Sequence, residues 1–236
     1  MRIIRGMCGR YTIRRPGLIK KLVYQSSFEE FSQIRIEPRF NIAPSQSVPV
    51  VRLNKEAVAA VKMVRWGLIP SWTKEKPKQQ PINARAETVA TSGMFRQALA
   101  RRRCLVPADG FYEWQKLGDP KRPTKQPMYV HRDDDDVFAF AGLWERWKPD
   151  ADAEPVDTFT IITTAPNALM SPIHDRMPVI LSSADYNRWL SRDVPGEDVL
   201  DLLRPHAVDG FVADKVSTRC NSPRNDDCDC VAPLAE

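Results

Sequence analysis

Short runs of β-branched and aromatic residues, repeatedly interrupted by Pro, Gly, Asn or Asp, constrain this chain more than any other feature. Such runs suit strands better than long amphipathic helices, because each ends before several helical turns can form. Val48 to Leu53 and Val58 to Trp66, separated by Asn54-Lys55, predict a hairpin. Arg103 to Pro107, Phe111 to Gln115, Asp157 to Thr164 and Met177 to Leu181 predict further strands, and Met128 to His131 is expected to pair with Val137 to Trp147. Helical composition is confined to shorter stretches: Pro16 to Tyr24, Ala84 to Ala90, Met94 to Arg101 and Pro195 to Leu203. Pro16 is tolerated in a first helical turn, where its missing N–H costs nothing. Ser182-Ser183-Ala184-Asp185 resembles a capping box opening a helix through Trp189 and Leu190. The segment from Arg35 to Pro49 carries Pro38, Pro44 and Pro49 and predicts an irregular loop. The expected class is α+β: a mixed, barrel-like sheet with peripheral helices.

No Gly/Ser-rich or Pro-rich linker divides the 236 residues, so a single domain is expected. No apolar run is long enough to cross a bilayer, and MRIIRGM lacks the apolar region of a secretory signal. A cytoplasmic location, with no membrane partner, is the expectation. Lys and Arg total 35 against 30 acidic residues, and a net charge of +5 permits a polyanionic partner without demanding one. The five cysteines are an odd number without framework spacing, which argues against structural disulfides. Cys220, Cys228 and Cys230 lie near His206, but their C-x-C spacing differs from paired C-x₂₋₄-C zinc motifs, so no metal is expected. Asp133 to Asp136 predicts a solvated turn.

Four segments combine groups that carry chemistry. Met7-Cys8-Gly9-Arg10-Tyr11 offers a thiol near the chain start, although a buried free cysteine is usually inert. Pro81-Ile82-Asn83-Ala84-Arg85-Ala86-Glu87 places an amide, a guanidinium and a carboxylate at alternate positions where a loop is expected to enter a helix. There Asn83 serves equally as an N-cap or at an anion site. Glu113 stands between Tyr112 and Trp114, where burial would raise its pKa and make it a proton carrier, or where alternation would leave it on the surface. His174, one of three histidines, sits beside Asp175 and Arg176 and suits either proton transfer or a structural hydrogen bond. These residue types also fit a cysteine hydrolase. Trp66 and Trp72 flank Gly67 to Ser71 and could stack on bases or fill the core, while Arg101-Arg102-Arg103 could extend a basic surface.

Six ordered blocks narrow the choice: MCGRY at 7–11, PRFNIAPSQ at 38–46, RWGLIPSW at 65–72, INARAET at 82–88, RRCLVPADGFYEW at 102–114 and IHDRMPVIL at 173–181. With Asn221 to Asp226 as a C-terminal signature, they resemble the SOS response-associated peptidase (SRAP) family of abasic-site-processing proteins. The resemblance implies a protein that binds single-stranded DNA containing abasic sites, using an N-terminal cysteine exposed by Met removal; a monomer is expected. Cys8 would then form a thiazolidine with the ring-opened sugar. Asn83 would position the cysteine or sugar, Glu113 would shuttle protons, and His174 would assist ring opening and reversal. Arg85 and Arg176 would bind phosphates, with Arg10 a further candidate; Trp66 is kept as a DNA contact on its aromatic ring alone, and no cofactor is expected. Residues 1–7 are expected to be a removed leader or a misassigned start, and 8–236 the domain. The competing readings are a cysteine peptidase or amidase and a noncovalent single-strand-binding module.

Overall fold

A computed structural model describes residues 8–23, 35–119 and 121–235, so the expected leader lies outside the described residues. The strands are β1 (Tyr11–Ile13), β2 (Arg39–Ile42), β3 (Ser47–Leu53), β4 (Ala59–Trp66), β5 (Asn83–Arg85), β6 (Arg103–Ala108) and β7 (Gly110–Leu117). They continue with β8 (Thr124–Arg132), β9 (Phe138–Trp147), β10 (Val156–Thr164), β11 (Met177–Pro178), β12 (Ile180–Leu181) and β13 (Phe211–Lys215). Two short α-helices, α1 (Arg96–Arg101) and α2 (Tyr186–Leu190), lie among 3₁₀ turns.

The expected β3–β4 hairpin forms, running from Ser47 opposite Arg65 to Leu53 opposite Ala59. β4 pairs in parallel with β10, β3 with β6, β6 with β9, and β9 with β10, which closes a five-stranded mixed barrel. Buried residues on these strands include Val50, Val61, Leu105, Phe140, Leu143, Phe159 and Ile161. A second sheet, ordered β13-β8-β7-β1-β2, lies beside the barrel, and its β1 and β7 carry the chemistry described below. The α+β class and the barrel-like sheet agree with the sequence.

Several local expectations are corrected. β8 does not pair with β9: β8 runs antiparallel to β7, from Gly110 opposite His131 to Leu117 opposite Thr124. The turn between β8 and β9 is pulled away instead. Arg14 and Arg15 bind Asp135, and Lys21 binds Asp136, which ties the acidic turn to the segment after β1. The proline-rich loop contains β2, and Ala84 to Ala90 is not a helix. There β5 joins β10 in parallel, with Ile161 N–H donating to Ile82 and Ala86 N–H to Thr163, so sheet pairing overrides helical composition. Met177 to Leu181 splits around Val179, one part pairing with β10 and the other with β9. Pro16–Leu22 and Gly196–Leu202 are 3₁₀ rather than α-helical. The Ser182 side chain makes no capping bond, and the expected box dissolves into a 3₁₀ turn leading into α2.

Candidate active site

The pairing of β1 with β7 positions the cysteine. Tyr11 lies opposite Phe111, and Tyr112 N–H donates to the Arg10 carbonyl at 3.0 Å, which carries Cys8 alongside Glu113. The Cys8 backbone N–H then donates to Glu113 Oε1 at 2.5 Å. Cys8 itself has a φ of +43°, a conformation costly for a residue with a Cβ and worth noting where chemistry is expected. Both side chains are buried. Burial pushes the Glu113 carboxyl up to about 8, although the N–H groups of Cys8 and Trp114 pull it partly back. Burial, and then the neighbouring Glu113, push the Cys8 thiol well above its ordinary range. At neutral pH the pair therefore holds a protonated carboxyl beside a thiol.

Asn83 lies on β5, opposite Ile161 of β10. Its Oδ1 and Nδ2 are both buried and have no partner among the described residues. Leaving a buried polar group unpaired costs about 1–3 kcal/mol, so this amide is open to a ligand that can both donate and accept. A chain of contacts connects it to the cysteine strand: Tyr11 packs edge-on to Trp66 at 5.3 Å, and Trp66 Nε1–H donates to the Ile82 carbonyl at 2.9 Å.

His174 is held at the end of a turn by its N–H, which donates to Met170 at 2.9 Å. Gln115 of β7 donates to the Pro172 carbonyl at 3.0 Å and so clamps the same loop to the Glu113 strand. Two groups compete for Nδ1: Arg176 N–H at 3.2 Å requires a lone pair there, and Asp175 at 3.0 Å favours a proton. The Asp175 side chain is 90% exposed and screened by water, and partial burial lowers the His174 pKa despite it. We assign a neutral ring that accepts at Nδ1 and offers its proton at Nε2.

The expected DNA contacts separate into distinct environments. Arg85 is exposed and has no ion-pair partner among the described residues. Arg176 forms a two-pronged pair with Glu87 and also donates to the Thr163 carbonyl at 2.7 Å, leaving only its Nε unpaired. Arg10 spends its donors on Asn41 Oδ1 at 2.9 Å and on the Cys220 and Asn221 carbonyls at 2.6 and 3.2 Å. The stacking role expected of Trp66 is corrected by its complete burial between Tyr11 and Phe159. Trp72 is the exposed member of that pair, at 63%.

Sequence reasoning missed a clamp behind the site. Asn41 is fully buried and donates through Nδ2 to the carbonyls of Cys220, Ser222 and Asn225. Asp226 accepts from the N–H groups of Phe40 and Asn41 and binds Arg39. Two of the recognisable blocks, at 38–46 and 221–226, thus bind each other; their polar residues were the available signal. Cys220 and Cys230 pack in a small apolar cluster with Tyr112, Tyr129 and Val216. Among the described residues, no cluster of three or more His, Cys, Asp or Glu is arranged to hold a metal.

The family model described as SOS response associated peptidase (SRAP) matches residues 7–223. The chain belongs to the SRAP family. This SRAP chain is 42% identical over 222 residues to the abasic site processing protein YoqW of Bacillus subtilis, covering 93% of this chain and 96% of that one. It is 33% identical to the abasic site processing protein HMCES of Gallus gallus, covering 85% of this chain and 67% of its relative. A crystal structure of a protein from Bacteroides thetaiotaomicron superposes with a TM-score of 0.81 at 25% identity, covering 97% of this chain and all of that one.

Proposed function

We propose that this SRAP protein processes abasic sites in single-stranded DNA by forming a thiazolidine through Cys8, once the residues ahead of it have been removed. The observation that carries this reading is the 2.5 Å contact between the Cys8 nitrogen and the buried Glu113 carboxyl. The chemistry needs a proton carrier at that nitrogen. The α-amine adds to the sugar aldehyde, the resulting carbinolamine loses water to give a protonated imine, and the thiol sulfur adds to the imine carbon as the thiol proton leaves. One water leaves and no redox change occurs. A protonated Glu113 can deliver the proton that departs with water and recover one from the thiol, a task suited to a carboxyl with a pKa near the working pH. Unpaired Asn83 offers both a donor and an acceptor to sugar hydroxyls. Neutral His174 can exchange a proton with the ring oxygen during opening and reversal.

The same carboxyl would lie beside the peptide bond that must break to free Cys8, which supports a self-processing peptidase step. Reversal or strand-cleaving lyase chemistry would use the imine. A conventional cysteine peptidase is less well supported, because it needs an accessible thiolate beside a base. Burial and Glu113 both disfavour that thiolate, and no hydrogen bond joins Cys8 to His174 among the described residues.

A denaturing gel tests the reading with single-stranded DNA carrying one abasic site. A heat-stable protein–DNA band that depends on the aldehyde is expected. Binding without such a band would leave only the noncovalent module.

A further inference from the structure

Among the described residues, four that are not glycine have left-handed backbone: Cys8, Ser45, Ala57 and Asp135. Three of them lie in turns closed by backbone hydrogen bonds, with Gln46 N–H donating to Ala43, Ala57 N–H to Asn54 and Asp135 N–H to Arg132, and none of the three is buried. Turns commonly use this conformation. Cys8 differs: it is fully buried in the main core, and its N–H is held by the Glu113 side chain. The chain just after it is pinned as well, by Tyr112 N–H on the Arg10 carbonyl at 3.0 Å. With the nitrogen fixed on one side and Arg10 on the other, the backbone of Cys8 takes up the difference at a φ of +43°.

That torsion exists only while Met7 is attached, because φ is measured from the carbonyl carbon of the preceding residue. Left-handed backbone crowds a Cβ against the adjoining peptide groups and costs on the order of tenfold in an equilibrium constant. We propose that the fold itself favours loss of the residues ahead of Cys8, because their attachment is what strains the Cys8 backbone. The step is hydrolysis of the Met7–Cys8 amide: water adds, the C–N bond breaks, hydroxyl stays on the Met7 carbonyl carbon and hydrogen on the Cys8 nitrogen, with no redox change. Once Met7 has gone, the Cβ has no preceding peptide group to meet, and the freed nitrogen keeps its place opposite Glu113. The factor that weakens folding of the unprocessed chain therefore also pulls hydrolysis forward in the folded one. Both anchors depend on the pairing of β1 with β7, so this bias toward a free amine belongs to the folded domain. The proposal rests on the reading that Cys8 works with a free α-amine, and it adds what drives that amine's release.

The experiment is a cycle of urea melts on Cys8→Gly, Cys8→Ala and Cys8→Ser, each prepared with residues 1–7 retained and as a chain beginning at position 8, with every chain start verified by intact mass. Removing residues 1–7 changes the amide at position 8 to an amine in all three, so the glycine pair, which has no Cβ to strain, measures that common effect. Relative to the glycine pair, retention of residues 1–7 should weaken folding of the alanine and serine chains by about a further tenfold. Alanine and serine chains that fold only without residues 1–7, while glycine folds with them, would show the same strain at larger size. An equal effect of residues 1–7 in all three variants, or a larger one in glycine, overturns the proposal. No DNA enters these melts, so that result leaves the cross-linking reading intact, whereas absence of an aldehyde-dependent adduct from wild-type protein sinks that reading without touching the strain.

Discussion

Two buried carboxylates flank one short stretch of β-structure, and they differ in what surrounds them. Asp109, between β6 and β7, is met by Thr12 Oγ1 at 2.6 Å and by the N–H groups of Arg14 and Arg15 at 2.5 and 2.9 Å. The Arg14 guanidinium adds a charge at 3.5 Å. Glu113, four residues on, receives the Cys8 and Trp114 N–H groups and no cation at salt-bridge distance among the described residues. The buried asparagines repeat the contrast. Asn41 is bonded through both ends of its amide, and Asn83 through neither. Satisfied groups hold a fold together, whereas buried groups left short of partners keep a free energy that a ligand can recover.

Substitutions can break this contrast. Cys8→Ala should abolish the heat-stable adduct while most DNA affinity survives, because phosphate contacts supply the binding; a surviving adduct would remove Cys8 from the chemistry. Glu113→Gln should slow adduct formation by roughly 100-fold or more with little loss of stability, as expected for removal of a general acid–base group. Its partner experiment is Asp109→Asn, which should cost about 3 kcal/mol in urea unfolding, the scale for disrupting a buried charged network. Glu113→Gln and Asp109→Asn acting alike on both readouts would erase the distinction. Asn41→Ala should cost about 2 kcal/mol through loss of the clamp, whereas Asn83→Ala should change stability by less than about 0.5 kcal/mol and slow cross-linking. The pH dependence of stability separates the two carboxylates in another way. Glu113 binds its proton more tightly when folded, so its contribution favours the fold at low pH and is lost as pH rises from the ordinary carboxylate range through about 8. Glu113→Gln should flatten stability across that window relative to wild type, which parallel urea melts at several pH values will measure.

The sequence carried candidate residues better than their neighbourhoods. Cys8, Asn83, Glu113 and His174 could be singled out as candidates because each stood in a distinctive block, and the β3–β4 hairpin was legible because its alternation is local. The β7–β8 hairpin was hidden because β8 also satisfies the pattern for pairing with β9, whereas in the fold its two edges are taken by β7 and β13. Trp66 and Trp72 look alike in sequence, yet one ring is wedged between Tyr11 and Phe159 and the other faces solvent. Asn83 looked like a helix cap because strand pairing with β10 is a long-range interaction that composition does not encode. The same applies to Arg10, two of whose partners lie more than two hundred residues away.

The most direct test is the intact mass of the protein recovered in the DNA adduct after expression from the full reading frame. Thiazolidine formation consumes the thiol and the α-amine of one residue, and an amide nitrogen is too weak a nucleophile to serve. The account predicts a cross-linked chain that begins at Cys8, with a mass equal to protein plus DNA minus one water. A cross-linked, active chain that still carries Met1 to Met7 would contradict it.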